Sequence, residues 1–128
     1  MIIKMIKHAT GSAHHDDLFI AESWIDGIAI LSVRDMVDML SAPRLSEAIR
    51  AALTKAPIGL IVDLTDVNFL ASVGMSVLVE AQEQADAISV RFGVVAEGSA
   101  TSRPIRLLGI DTVLALYPTL DIALREFR

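Results

Sequence analysis

A chain of 128 residues and 13.8 kDa is long enough for one domain with a sizeable core. Hydrophobic residues make up 53% and charged residues 21%, which marks a globular chain and excludes a disordered one. The net charge of −5 argues against a sequence-independent nucleic-acid binder, which needs clustered Lys and Arg, and the lack of cysteine removes disulfides and Cys-ligated zinc.

Mean hydropathy is +0.55, yet the apolar residues fall in runs of roughly five to eight, well short of the ~20 that span a bilayer. Met1–Lys7 has no apolar stretch long enough for a signal peptide, so a cytoplasmic protein with no membrane association is expected. Residues 1–17 lack periodicity and read as a flexible tail, leaving 18–128 as the domain. His14-His15-Asp16-Asp17 and His8 offer metal-capable groups, but neighbours in sequence do not converge on one ion; no metal and no cofactor are expected.

Order is expected from Leu18. Leu18–Trp24 and Ile28–Val33 are strand-like, and Asp26-Gly27 between them is the signal of a two-residue hairpin. Ser41 and Ala42 lead into Pro43, after which Leu45, Ala48, Ile49, Ala52 and Leu53 share one face of a helix. Ile58–Leu64 is a continuous apolar run, the pattern of a central strand covered on both faces. A polar turn is expected after Leu64, then a helix from Ser72 to about Ala87 with Ser72 as its N-cap. Val90–Val95 reads as a strand and Arg103–Leu108 as a short helix stopped by Gly109. Val113–Tyr117 reads as a short strand, and Pro118-Thr119 opens a last helix with Leu120, Ala123, Leu124 and Phe127 inside. The fold class is therefore α/β: a mixed four- to five-stranded sheet with about four helices and an antiparallel first hairpin.

The helix from Ser72 carries the functional signal. At ~100° per residue, Gly74, Val77, Leu78, Ala81 and Ala85 point to the core, while Ser72, Met75, Ser76, Val79 and Glu83 point away from it. Met75 and Val79 then form an apolar strip beside a modifiable hydroxyl, the form either of a regulated protein–protein surface or of a patch buried against the last helix. Gly74 in the first turn costs about 1 kcal/mol relative to Ala and calls for a close approach of another segment. Asp38 lies in the preceding strand-to-helix loop, which projects from the same sheet edge. Its carboxylate is either a hydrogen-bond partner for Ser72 or N-terminal charge for its own helix.

Val37-Asp38-Met39-Leu40-Ser41, the block from Ile61 to Met75 that contains Asn68-Phe69-Leu70-Ala71-Ser72-Val73-Gly74, and Leu108-Gly109-Ile110 together resemble the STAS domain. More narrowly, they resemble the free-standing bacterial anti-sigma factor antagonists, over residues ~18–127. That resemblance implies the STAS fold and a protein that binds an anti-sigma factor, a serine kinase of the histidine-kinase-like ATPase type. Binding releases a sigma factor, and phosphorylation of the antagonist reverses it. It implies Ser72 as phosphoacceptor, with Asp38, Ser72, Met75, Ser76 and Val79 on the partner surface, no catalytic residue, and a homodimer left open. Two positions depart from the family's pattern: Ala71 stands where an acidic residue usually precedes the phosphoacceptor, and Asp35 where glycine is frequent.

Rival chemistries lack parts. A serine hydrolase needs a base for Ser72, and the histidines all lie within residues 8–15. A phospho-aspartate receiver built on Asp63 and Asp66 lacks a further acidic pair and a late lysine, since Lys55 is the last in the chain. The alternative within the resemblance is a STAS subunit of a stress-signalling or transport complex.

Overall fold

The computed structural model of the chain describes the backbone of residues 4–7 and all of residues 18–128. Strands β1 (Lys4–Lys7), β2 (Phe19–Ile25), β3 (Ile28–Val37), β4 (Gly59–Leu70), β5 (Arg91–Val95) and β6 (Leu116–Tyr117) form one sheet in sequence order. β1, β2 and β3 pair antiparallel, and β3 to β6 pair parallel. Helices α1 (Ala42–Leu53), α2 (Ser72–Ala87), α3 (Ser102–Leu107) and α4 (Leu120–Phe127) complete the domain.

The mixed sheet, the antiparallel first hairpin and the four helices are those the sequence predicts. β1 is an addition: Lys4–Lys7 pairs with Phe19–Glu22, where a structureless tail was expected. Four residues are too few for alternation to register, and lysines at both ends are what an edge strand carries to deter further pairing. The His14-His15-Asp16-Asp17 run and His8 lie outside the described residues.

Asp26 and Gly27 both take positive φ, 53° and 81°, as a type I′ hairpin turn requires. One sheet face carries α1 and α2, packed through Leu45, Ile49, Leu78 and Ala81 onto Leu31, Leu60, Val62 and Phe92. Each such large side chain, wholly buried, contributes about 1.5–3 kcal/mol. α4 covers part of the other face, with Ala123 and Leu124 against Ile28, Ile30 and Ile61. Its N-cap Thr119 accepts from the Ile122 N–H at 3.2 Å. Buried Glu22 accepts from Lys55 Nζ at 2.6 Å and Trp24 Nε1 at 2.9 Å, so the charge that β2 carries inward is neutralised at the end of α1.

β4 does not end at Leu64 as expected but continues to Leu70, with Val67 and Leu70 still facing the core. Its partner β3 keeps pace through two register shifts, between Ser32 and Arg34 and between Asp35 and Met36. Asp35 takes φ +81°, a left-handed conformation that favours glycine. The expected strand Val113–Tyr117 shrinks to Leu116–Tyr117 because Ile110–Thr112 coil into a 3-10 turn after Gly109, whose φ is +73°.

Candidate functional site

β3 and β4 run parallel and end side by side, with Val37 opposite Leu70. The Ala71 N–H donates to the Val37 carbonyl at 2.8 Å, tying the start of α2 to the end of β3. Gly74 explains itself here: a Cβ at this position would stand 2.6 Å from Val37 Cγ1 and 2.8 Å from Leu70 Cδ1. The first turn of α2 therefore rests directly on two strand ends. Glycine permits that contact.

The loop from Asp38 to Ser41 lies at the same edge and is closed by its own polar groups. Asp38 Oδ1 accepts from the Leu40 and Ser41 N–H groups, both at 3.0 Å, and from the Ser41 hydroxyl at 3.1 Å. Ser41 Oγ also reaches the Met36 carbonyl at 2.8 Å and accepts from the Asp38 N–H at 2.9 Å. No hydrogen bond joins Asp38 to Ser72 among the described residues. Of the two roles open to Asp38, organising the turn before α1 is the one observed.

Ser72 is not the N-cap of α2. Because β4 extends to Leu70, a single residue remains as linker, and Ala71 caps the helix in extended conformation (φ −76°, ψ 164°) with no side-chain oxygen to offer. Ser72 becomes the first helical residue, exposed, and its hydroxyl has no hydrogen-bond partner among the described residues. Ser76 Oγ, one turn on, donates to the Ser72 carbonyl at 3.2 Å and is exposed as well.

The expected apolar strip is corrected at Met75, which is 4% exposed and belongs to the main core. Val79 is half-buried. The outward face of α2 is centred further round, on Ser72, Val73, Ser76, Glu80 and Glu83. Met75 lies at its border, and close seating of the first turn over Gly74 draws it inward.

Sequence reasoning missed the apolar residues that do stand in solvent at this edge: Met39, Leu40, Phe69 and Val73. Their signal was two consecutive large apolar side chains in a loop that otherwise holds Asp38 and Ser41, and an aromatic at the tip of a strand. Met36 pairs with Phe69 and Val37 with Leu70, which brings the two loops together. The described residues contain no cluster of metal-ligating groups and no helix long and apolar enough to cross a membrane.

Comparison with known proteins agrees with this architecture. The model of the STAS domain matches residues 23–123. A protein named anti-sigma-F factor antagonist RsfB, from Mycobacterium tuberculosis, is 43% identical over 103 residues, covering 80% of this chain and 84% of its own. The crystal structure of an anti-sigma factor antagonist from Mycobacterium paratuberculosis superposes with a TM-score of 0.84 at 42% identity, over 88% of this chain and 96% of that one. Phosphorylated SpoIIAA from Bacillus shares the fold at a TM-score of 0.65 and 13% identity, over 85% of this chain and 99% of its own.

Proposed function

The chain belongs to the STAS domain family, and from that footing we propose that it is an anti-sigma factor antagonist. It binds an anti-sigma factor, a serine kinase of the histidine-kinase-like ATPase type, in the cytoplasm and thereby releases a sigma factor. Phosphorylation of Ser72 ends the binding. The protein acts as a binding partner and carries out no catalysis of its own. The observation that carries this reading is the exposed hydroxyl of Ser72, without a hydrogen-bond partner among the described residues, in the first turn of a helix seated on the sheet edge. Similarity to the RsfB antagonist over most of both chains supports it.

The switch follows from local electrostatics. A phosphate on Ser72 adds about −1.5 to −2 charges at neutral pH. The uncapped start of α2 offsets part of that, by about 0.3–2 kcal/mol, so the fold is retained. A partner packed over this edge faces a bulky charge that must be desolvated, at several kcal/mol, enough to dissolve a micromolar complex. No change of fold is required.

The test uses the purified anti-sigma kinase encoded by the same genome. Incubation with it and ATP is expected to add one phosphate, read by intact mass and lost in Ser72→Ala. Ser72→Asp is expected to keep the thermal transition while losing affinity in calorimetric titration. Equal affinity of Ser72→Asp and the wild type for the kinase would remove the switch.

A further inference from the structure

Two independent features meet around Ser72. The first is apolar: Met39 is 77% exposed, Leu40 60%, Phe69 48% and Val73 36%, all at the edge where β3 and β4 end. Exposed apolar side chains are ordinary singly, but four on the two adjoining strand-to-helix junctions of one edge are a candidate contact surface. The second is charge. Between Lys55 and Arg91 there is no Lys, Arg or His, while Asp63, Asp66, Glu80, Glu83 and Asp86 all fall in that interval. Five acidic residues and no basic one give the β4–α2 segment a charge of −5, equal to that of the whole chain. Glu80 and Glu83 stand exposed on α2, about two and three turns beyond Ser72 on the same side.

We infer that this edge is a bipartite docking surface for a protein whose face carries an apolar pocket bordered by Lys and Arg. The pocket receives Phe69, Leu40, Met39 and Val73, and the cationic border faces Glu80 and Glu83. Charge decides the occupant. A second copy would bring −5 against −5, and an anionic lipid surface would be repelled by the same carboxylates. A basic partner is attracted by them, which raises the association rate and fixes orientation, while burial of the aromatic and aliphatic anchors supplies most of the affinity.

The inference rests on the antagonist reading and deepens it by naming the chemistry of the partner. It also locates the switch. Ser72 lies at the apolar end of that face, beside Val73 and about two to three turns before Glu80 and Glu83, so a phosphate there meets the apolar pocket before the cationic border. The attraction between strip and border then cannot rescue the complex.

The experiment titrates the full chain with the purified anti-sigma kinase by calorimetry and follows association by stopped flow at low and high salt. Phe69→Ala and Leu40→Ala are each expected to weaken binding tenfold or more, chiefly through faster dissociation. The double variant Glu80→Lys, Glu83→Lys is expected to slow association about tenfold at low salt and to flatten its salt dependence. All these side chains are exposed, and unchanged thermal transitions would show that the fold is intact. If the wild type binds and these variants bind equally well, the inference is overturned while the antagonist reading stands. If the wild type does not bind the kinase, the antagonist reading falls and the inference with it. Concentration-dependent self-association abolished by Phe69→Ala would show the patch to be covered by a second copy, and would also overturn the inference.

Discussion

Ser41 and Ser72 stand at two strand-to-helix junctions on one sheet edge, and the two hydroxyls are treated in opposite ways. Ser41 is 1% exposed and bonded to Met36, to the Asp38 N–H and to the Asp38 carboxylate. Ser72 is exposed and bonded to nothing among the described residues. Connection length accounts for the difference. Four residues, Asp38 to Ser41, must double back before α1, and a buried turn needs its polar groups satisfied from within. A single residue, Ala71, joins β4 to α2, and its backbone bond to Val37 leaves the next side chain outside. One junction holds the edge in shape. The other presents a group on it.

The largest effect expected at the second junction comes from beneath it. Met75→Ala is expected to destabilise the domain by about 2–5 kcal/mol in urea unfolding, as truncation of a core side chain does. A loss under about 0.5 kcal/mol would mean that Met75 lies in solvent after all. Ser41→Ala comes next, at about 1–3 kcal/mol, because it leaves the Asp38 N–H without its acceptor in a part-buried turn. Equal stabilities of Ser41→Ala and wild type would erase the contrast between the two serines.

Legibility in the sequence followed the separation of chemical types. In α1 the predicted inward set, Leu45, Ala48, Ile49, Ala52 and Leu53, is buried as read, because charged residues occupy the other side. The Asp26-Gly27 turn and the Thr119 start of α4 were legible for the same reason: one residue type, one local geometry. The first two turns of α2, up to Val79, hold small and apolar residues with no charge to mark the outer side, so a wheel drawn from Ser72 placed the border at Met75 on the wrong side. β4 deceived differently. Its last six residues carry Thr65, Asp66 and Asn68, exposed where the strand runs past its cover, and such residues imitate a turn. That misreading moved the N-cap from Ala71 to Ser72. The same overrun needs a bulge in β3, where Asp35 takes φ +81°, a strained conformation for a residue that carries a Cβ.

An intermediate effect is available by equalising the junctions. Ala71→Asp is expected to raise stability by about 0.5–2 kcal/mol, since Ala71 already has N-cap geometry and lacks only the acceptor. Urea unfolding of the variant beside wild type checks it. No gain would mean that the first-turn N–H groups of α2 are already satisfied.

The smallest effect is the most discriminating. Ser72→Ala is expected to change stability by less than about 0.5 kcal/mol, because the hydroxyl is exposed and caps nothing. A serine acting as N-cap would instead lose about 1 kcal/mol on the same substitution. Thermal and urea unfolding of Ser72→Ala, run beside Thr119→Ala in the true cap of α4, separates these values on one protein. A neutral Ser72 has a functional consequence. A side chain that makes no bond among the described residues can be modified at little cost in stability, which is the condition the proposed switch requires.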